Sequence, residues 1–130
     1  MNIVDVAIGI IVSDAKLLIC RRRSTGHLAG YWEFPGGKCE AGESARNCLA
    51  RELREELGVT VAITHAFGSI EHEYPTVRVR LHPFLCKHDG GEPQALACDE
   101  LKWITPAELP DYRFPEANAA LIDEVKRMLL

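Results

Sequence analysis

The segment from Glu43 to Leu57 most constrains how this chain of 130 residues can fold, because it combines an apolar stripe with a cluster of acids. Its apolar residues recur at helical spacing, and the stripe consists of Ala45, Leu49, Leu53 and Leu57. Ser44 is a suitable N-cap, and Gly58 is placed to end the helix at C′. We therefore expect an amphipathic helix here.

Three glutamates lie on one side of this predicted helix. At about 100° per residue, Glu52, Glu55 and Glu56 fall within an arc of about 100° beside the apolar stripe. Like charges at this spacing weaken a helix, and near its C-terminal end they also oppose the dipole. Such a cluster is either a solvated acidic surface or a site where divalent metal ions, which prefer carboxylate oxygens, offset the charge.

Residues upstream and within the helix favour the second interpretation. Gly36 and Gly37 permit a backbone shape that lets a carbonyl or amide approach a ligand closely. Glu43 can cap the helix or reach back into the preceding loop. Arg51 lies beside the acids and can neutralise or orient them.

The segment from Gly37 to Val59 resembles the Nudix box, G-x5-E-x7-R-E-U-x-E-E-x-G-U, where U is a bulky aliphatic residue, and fills every specified position. The resemblance implies a loop-helix-loop that binds Mg²⁺ or Mn²⁺ through the backbone carbonyl of Gly37 and the carboxylates of Glu52, Glu55 and Glu56. Glu43 and Arg51 would hold the loop-helix geometry. The implied reaction is attack of water on a phosphorus of a nucleoside diphosphate derivative, with Glu52 as a candidate base.

The rest of the chain predicts a mixed sheet and a second helix. Strands are expected at Ile3–Val12, Lys16–Arg21, Val59–Glu73, Thr76–Leu81 and Leu101–Ile104. The first two should form a hairpin, Pro83 should interrupt the fourth strand or place it at an edge, and residues 89–91 should form a loop. With a helix over Pro115–Leu130, this is an α/β (α+β) fold. The resemblance implies an α/β/α sandwich, with the sheet between the box helix and the C-terminal helix, as one domain over residues 1–130.

Two segments outside the box, and a third that leads into it, resemble the MutT branch of the family, which hydrolyses nucleoside triphosphates to monophosphate and pyrophosphate. They are residues 21–23 followed by His27-Leu28, residues 32–38, and residues 114–118. The resemblance implies that Arg22 helps to hold the nucleotide and that Asn118 reads an oxidised guanine, since an amide offers donors and an acceptor. Phe34 and Lys38 are further candidate substrate-binding residues. Alternatives are a helix cap for Asn118 and a solvated strand end for Arg22.

One position departs from the resemblance. Many relatives carry a further glutamate, as a metal ligand or base, shortly before the tryptophan equivalent to Trp103, but Ala97 stands there in this chain. A shift of the loop would be needed for Asp99 or Glu100 to replace it. The run from Glu71 to Glu73 is another source of acids, although solvated strand charges also explain it.

The composition of the chain limits its possible binding partners and its cellular compartment. The net charge is −4, from 15 basic and 19 acidic residues, which argues against nonspecific or stable nucleic acid binding. Five cysteines without a Cys-x-x-Cys pair fit free thiols in the cytoplasm. The N-terminus lacks the basic region of a signal peptide, and no apolar run is long enough to span a membrane. The sequence is compatible with either a monomer or a homodimer.

Together these observations predict a Mg²⁺-dependent nucleoside triphosphate pyrophosphohydrolase acting on a small-molecule nucleotide. Asn118 favours 8-oxo-dGTP, whose removal would serve DNA repair. Alternatives within the reaction class are hydrolysis of CTP or a modified dCTP and hydrolysis of an ADP-sugar. An alternative of another class is a nucleotide-binding module that has lost catalysis, for which Ala97 is the best support.

Overall fold

The computed structural model describes residues 2–26 and 28–130, so His27 of the sequence motif lies outside the described residues. The elements follow in the order β1 (Ile3–Ser13), β2 (Lys16–Arg21), β3 (Trp32–Glu33), β4 (Gly36–Lys38), α1 (Ala45–Leu57), β5 (Thr60–Ala66), β6 (Ile70–Glu73), β7 (Arg78–Gly90), β8 (Glu100–Ile104) and α2 (Ala119–Leu129). Two 3₁₀ turns, Pro106–Asp111 and Glu116–Asn118, precede α2. No helix of the described residues combines the length and apolar character needed to cross a membrane.

The strands form one mixed sheet around β1. Strand β7 runs parallel to β1 along one edge. The opposite edge of β1 is shared by two antiparallel partners, β2 near its C-terminal end and β4 near its N-terminal half. The hairpin predicted between β1 and β2 is therefore confirmed. Strand β2 continues to β8 and β3, and β7 continues to β5 and β6.

The two helices cover opposite faces of the sheet, because successive side chains of β1 point to opposite sides. Ala7 and Ile11 pack with Leu53 of α1, whereas Ile10 packs with Leu121 of α2. The mixed sheet flanked by the box helix and the C-terminal helix is the predicted architecture, and it is confirmed.

Helix α1 begins and ends where local signals place it. The Ser44 side chain accepts a hydrogen bond from the backbone N–H of Asn47 at 3.1 Å. Gly58 adopts a left-handed φ of 70°, and its N–H reaches the carbonyl of Arg54. Glu43, which began the predicted helix, instead precedes the cap.

The prediction that Pro83 interrupts or edges a strand was wrong, because β7 runs through it and occupies the interior of the sheet. The Pro83 carbonyl accepts from the N–H of Phe67 at 3.0 Å. Both backbone groups of a strand residue point to the same side, so the missing N–H faces the segment that links β5 to β6. The hydrogen bonds between β7 and β1 therefore do not depend on the N–H that proline lacks.

Three further boundaries differ from the predictions. The single strand expected over Val59–Glu73 is divided into β5 and β6, and β7 extends into the loop expected at residues 89–91. The helix expected from Pro115 begins only at Ala119, after the 3₁₀ turn that carries Asn118.

Candidate active site

A cleft of about 800 Å³ is lined by residues of β1, β4, α1, β7 and the turn before α2. One part, here called the acid wall, consists of Glu33, Gly37, Glu52 and Glu56. The other part, here called the apolar wall, consists of Val6, Ile8, Tyr74, Val79, Leu81 and Asn118. The cleft therefore places a set of carboxylates next to a mostly apolar slot that contains an amide.

Arg51 holds the loop before α1 against the helix. Its guanidinium donates to both carboxylate oxygens of Glu43, at 2.8 and 2.9 Å, and to the carbonyl of Lys38 at 3.1 Å. The same side chain reaches Glu52 at 3.0 Å and Glu55 at 3.2 Å. The bonds from Arg51 to Glu43, and then the bond from the Glu40 backbone N–H, lower the pKa of Glu43 to about 2. The structure thus brings Glu43 and Arg51 together in the bracing geometry that the box implies.

Gly37 lies directly against Glu52. A Cβ atom at residue 37 would overlap the carboxylate of Glu52, so only glycine lets the carboxylate approach the backbone this closely. The Gly37 carbonyl also accepts a weak bond from the Cys48 thiol at 3.6 Å. The Glu52 carboxylate therefore lies against the Gly37 backbone, in the cleft that both residues line.

Glu56 is a half-buried acid beside Glu52. Burial, and then the negative charge and hydrogen bond of Glu52, raise the pKa of Glu56 to about 8. Two carboxylates this close and this poorly solvated cannot both ionise without a compensating cation. Hard oxygen donors with unbalanced negative charge fit Mg²⁺ or Mn²⁺.

Glu55 is placed differently from the other two box acids. It is exposed, bonds to Arg51 and does not line the cleft. Within residues 2–26 and 28–130, no three acidic, histidine or cysteine side chains already converge as a ligand set. Glu52 and Glu56 are therefore the box carboxylates that the fold turns into the cleft.

The raised pKa of Glu56 predicts a pH-dependent stability of the metal-free protein. A carboxyl whose pKa is higher in the folded state contributes stability that is present below its ordinary pKa of 4.5 and lost as pH rises through about 8. In EDTA, we expect the melting temperature to fall across this window and Glu56→Gln to flatten the fall. Glu55→Gln is the matched control and should behave as wild type. Parallel curves for wild type and Glu56→Gln would contradict the assignment.

The loop that carries Ala97 is tied to α1 and to the segment after β2. The N–H groups of Gln94 and Leu96 donate to the last carbonyls of α1, at 3.0 and 3.2 Å, which satisfies part of the helix C-terminus. Arg23 donates to the carbonyls of Leu96 and Ala97, at 3.2 Å each. Ala97, which stands where many relatives carry a glutamate, thus lies in a loop that these hydrogen bonds hold in place.

The acids that could replace the missing glutamate already have other polar partners. Asp99 accepts from the N–H of Ser24 at 3.1 Å, and Glu100 pairs with Arg21 at 3.4 Å. Neither of these acids lines the cleft, and neither do Glu71 and Glu73, which pair with arginines of β7. For any of these four acids to replace the glutamate absent at residue 97, its present bond must break.

Glu33 is a cleft residue that the sequence analysis did not single out. Its carboxylate accepts from Arg22 at 2.9 and 3.3 Å, and burial raises its pKa despite that cation. The signal was present, since Glu33 is the one acid in the segment 32–38. It was not recognised because the strand is only two residues long and shows no alternation.

The candidate substrate-binding residues meet in the same cleft. Arg22, Phe34, Lys38 and Asn118 all line it. Phe34 is buried and packs on Phe114, with ring centroids 5.1 Å apart. Asn118 is 7% exposed and stands at the N-cap position of α2, yet its side chain makes no capping bond. The structure thus leaves the Asn118 amide to the cleft and not to the helix.

Thiols also contribute to the acid end of the cleft. Cys20 and Cys98 line it, and a hydrogen bond from Cys20 lowers the pKa of Cys98 to about 7. All five cysteines are free thiols.

Comparison with known proteins identifies close relatives. A family model described as "NUDIX domain" matches residues 6–124. The 8-oxo-dGTP diphosphatase of Escherichia coli (strain K12) is 34% identical over 98% of this chain and 100% of that protein. The CTP pyrophosphohydrolase of the same strain is 35% identical over 95% of this chain and 91% of that protein. The solution structure of the E. coli ORF135 protein matches with a TM-score of 0.87 and 34% identity, covering 98% of this chain and 91% of that one.

Proposed function

Because the chain belongs to the Nudix family and is a hydrolase of phosphorus-containing anhydrides, we propose that it converts a nucleoside triphosphate and water to the monophosphate and pyrophosphate. The observation that carries the proposal is the cleft itself, in which the acid wall adjoins the apolar wall. The first suits a metal-bound phosphate chain and the second suits a base.

The acid wall supplies the catalytic machinery in this proposal. Glu52, Glu56 and the Gly37 carbonyl would hold Mg²⁺ or Mn²⁺, with Glu55 as a further ligand from the rim. Such a metal would offset phosphate charge and make water more acidic. Glu52 accepts the proton of the attacking water, while Glu43 and Arg51 keep the loop in register with α1. Lys38 and Arg22 contact the phosphates and the nucleotide.

The apolar wall selects the base. A buried amide without a capping partner discriminates strongly, because a base that cannot pair with it leaves polar groups unsatisfied. Asn118 favours 8-oxo-dGTP, in a sanitising role connected with DNA repair. CTP or a modified dCTP is the second candidate, supported by the 35% identity to a CTP pyrophosphohydrolase.

We expect pyrophosphate release from at least one of 8-oxo-dGTP, dGTP and CTP in the presence of Mg²⁺. Asn118→Ala should change the ratio of 8-oxo-dGTP to dGTP turnover by roughly tenfold or more, as loss of a buried base contact does. Both are measured by quantifying pyrophosphate and monophosphate. Asn47→Ala, an exposed change on α1, is the matched control.

Other outcomes separate the alternatives. An unchanged ratio in Asn118→Ala would reject base reading by this residue. Turnover of ADP-ribose alone would identify an ADP-sugar hydrolase. Absence of turnover with every nucleotide would support a binding module that has lost catalysis.

The free thiols and the net charge of the enzyme bear on its compartment and its partners. We propose a cytoplasmic protein whose residues 1–130 act as one domain, as monomer or homodimer, without stable nucleic acid or membrane binding. The five free thiols suit a reducing compartment, and the net charge of −4 disfavours a nucleic acid surface.

A further inference from the structure

The loop of residues 94–99, here called the strap, supplies hydrogen bonds that the end of α1 cannot make for itself. The last carbonyls of a helix lack internal partners. In α1 these include the carbonyls of Glu56 and Leu57, which accept from the N–H groups of Leu96 and Gln94, at 3.2 and 3.0 Å. The strap therefore holds the last two residues of the helix.

The far end of the strap is bonded to the end of β2 and to the residues after it. The Asp99 N–H donates to the carbonyl of Arg21 at 3.0 Å. The Asp99 carboxylate accepts from the N–H of Ser24 at 3.1 Å. The strap thus connects the helix that carries the box acids with the segment that carries Arg22.

Arg23 joins these two sets of bonds. Its guanidinium donates to the carbonyls of Leu96 and Ala97, at 3.2 Å each, and the planar fork of donors in arginine suits two acceptors at once. Leu96 is therefore bonded through both of its backbone groups, to Arg23 by its carbonyl and to Glu56 by its N–H. A continuous line of hydrogen bonds runs from Arg23 to the end of α1.

Glu56 is the box acid that most needs this support. It is the second-last residue of α1, and helix ends fray. Within the described part of the chain, Arg51 forms ion pairs with Glu52 and Glu55 but not with Glu56. Because Mg²⁺ demands near-ideal ligand geometry, a carboxylate near a fraying end must be held by other contacts.

We propose that Arg23 is a positioning residue for the metal site, which fastens the strap so that the end of α1 keeps the Glu56 carboxylate in the cleft. This inference rests on the proposed function, because it concerns one of the carboxylates that would hold the metal. Arg23 is not itself a ligand, since a guanidinium is a donor without an acceptor.

The charge of Arg23 alone predicts the opposite effect on metal binding. Arg23 lines the cleft, and a cation there repels a divalent metal ion. Removing the charge would therefore strengthen metal binding, whereas removing a positioning residue would weaken it. The two roles differ in the sign of the change in affinity.

The test measures binding of Mn²⁺ alone to the nucleotide-free protein, by electron paramagnetic resonance of the free ion. We expect Arg23→Ala to raise the Kd for Mn²⁺ about fivefold, as loss of one hydrogen bond does. Arg23→Lys keeps the charge and one donor and should recover part of the affinity. Arg54→Ala is the matched control, because Arg54 is an exposed arginine of α1 outside the cleft and its removal should not weaken binding.

Amide hydrogen exchange, measured by NMR on the same metal-free proteins, reports on the strap itself. The Leu96 N–H should exchange faster in Arg23→Ala than in wild type. The Asn47 N–H, which is bonded to Ser44 at the other end of α1, should exchange as in wild type. Melting temperatures should stay close to that of wild type, because Arg23 is exposed.

Three results would overturn the inference. Unchanged or tighter Mn²⁺ binding in Arg23→Ala would do so while leaving the proposed metal site intact. Weaker binding without faster exchange at Leu96 would also do so, since Arg23 would then act by another route. A wild-type protein that does not bind Mn²⁺ would overturn the proposed metal site together with this inference.

Discussion

Replacing Glu52 with glutamine is expected to lower kcat by a factor on the order of 10² or more, as loss of an essential metal ligand or base does. Glu52 lies against Gly37, raises the pKa of Glu56 through its negative charge and lines the cleft. Glutamine keeps the shape but removes the charge that balances a divalent cation. Stability should change little, because Arg51 retains its bonds to Glu43.

The matched control is Glu55→Gln on the same helix. The box implies that both Glu52 and Glu55 are metal ligands. The structure places Glu55 at the exposed rim, where it bonds to Arg51, so we expect a clearly smaller loss. Steady-state kinetics over a Mg²⁺ titration measures both effects. Equal losses in the two variants, or full activity in Glu52→Gln, would contradict this ranking.

Alanine substitutions at the adjacent Gly36 and Gly37 are expected to fail for different reasons. Gly36 has a φ of 154°, and a Cβ there would overlap the backbone carbonyl of Ala7. The sheet cannot yield at this point, so Gly36→Ala should destabilise the fold by about 3 kcal/mol or more. At Gly37 the added methyl group meets only the flexible end of Glu52. Gly37→Ala should therefore fold but lose activity on the order of 10²-fold, because the carboxylate is displaced.

Thermal unfolding and kcat together distinguish these two effects. Gly36→Ala should melt at a much lower temperature, whereas Gly37→Ala should melt near wild type and turn over slowly. An active Gly37→Ala enzyme would show that close approach of Glu52 to the backbone is unnecessary. A fully stable Gly36→Ala protein would contradict the steric argument at β4.

The sequence by itself determined the features that depend on neighbouring residues. The leucine stripe, the Ser44 cap and the Gly58 stop define α1, because helical periodicity and capping are local properties. The run rich in Val and Ile, the turn after it and the second apolar run likewise define the hairpin of β1 and β2. The spacing of the box residues identified the family, because these residues project from a single helix and the loop before it.

Only the tertiary structure decided which side chains share the cleft. Glu33 and Arg22 meet because β3 pairs with β2. Asp99 does not line the cleft, and its carboxylate accepts a hydrogen bond from the Ser24 N–H. Burial and pairing of this kind arise from contacts between distant segments, and residue spacing carries no record of them. The same reason separates Glu55 from Glu52 and Glu56, which the helix alone presents as equivalent acids.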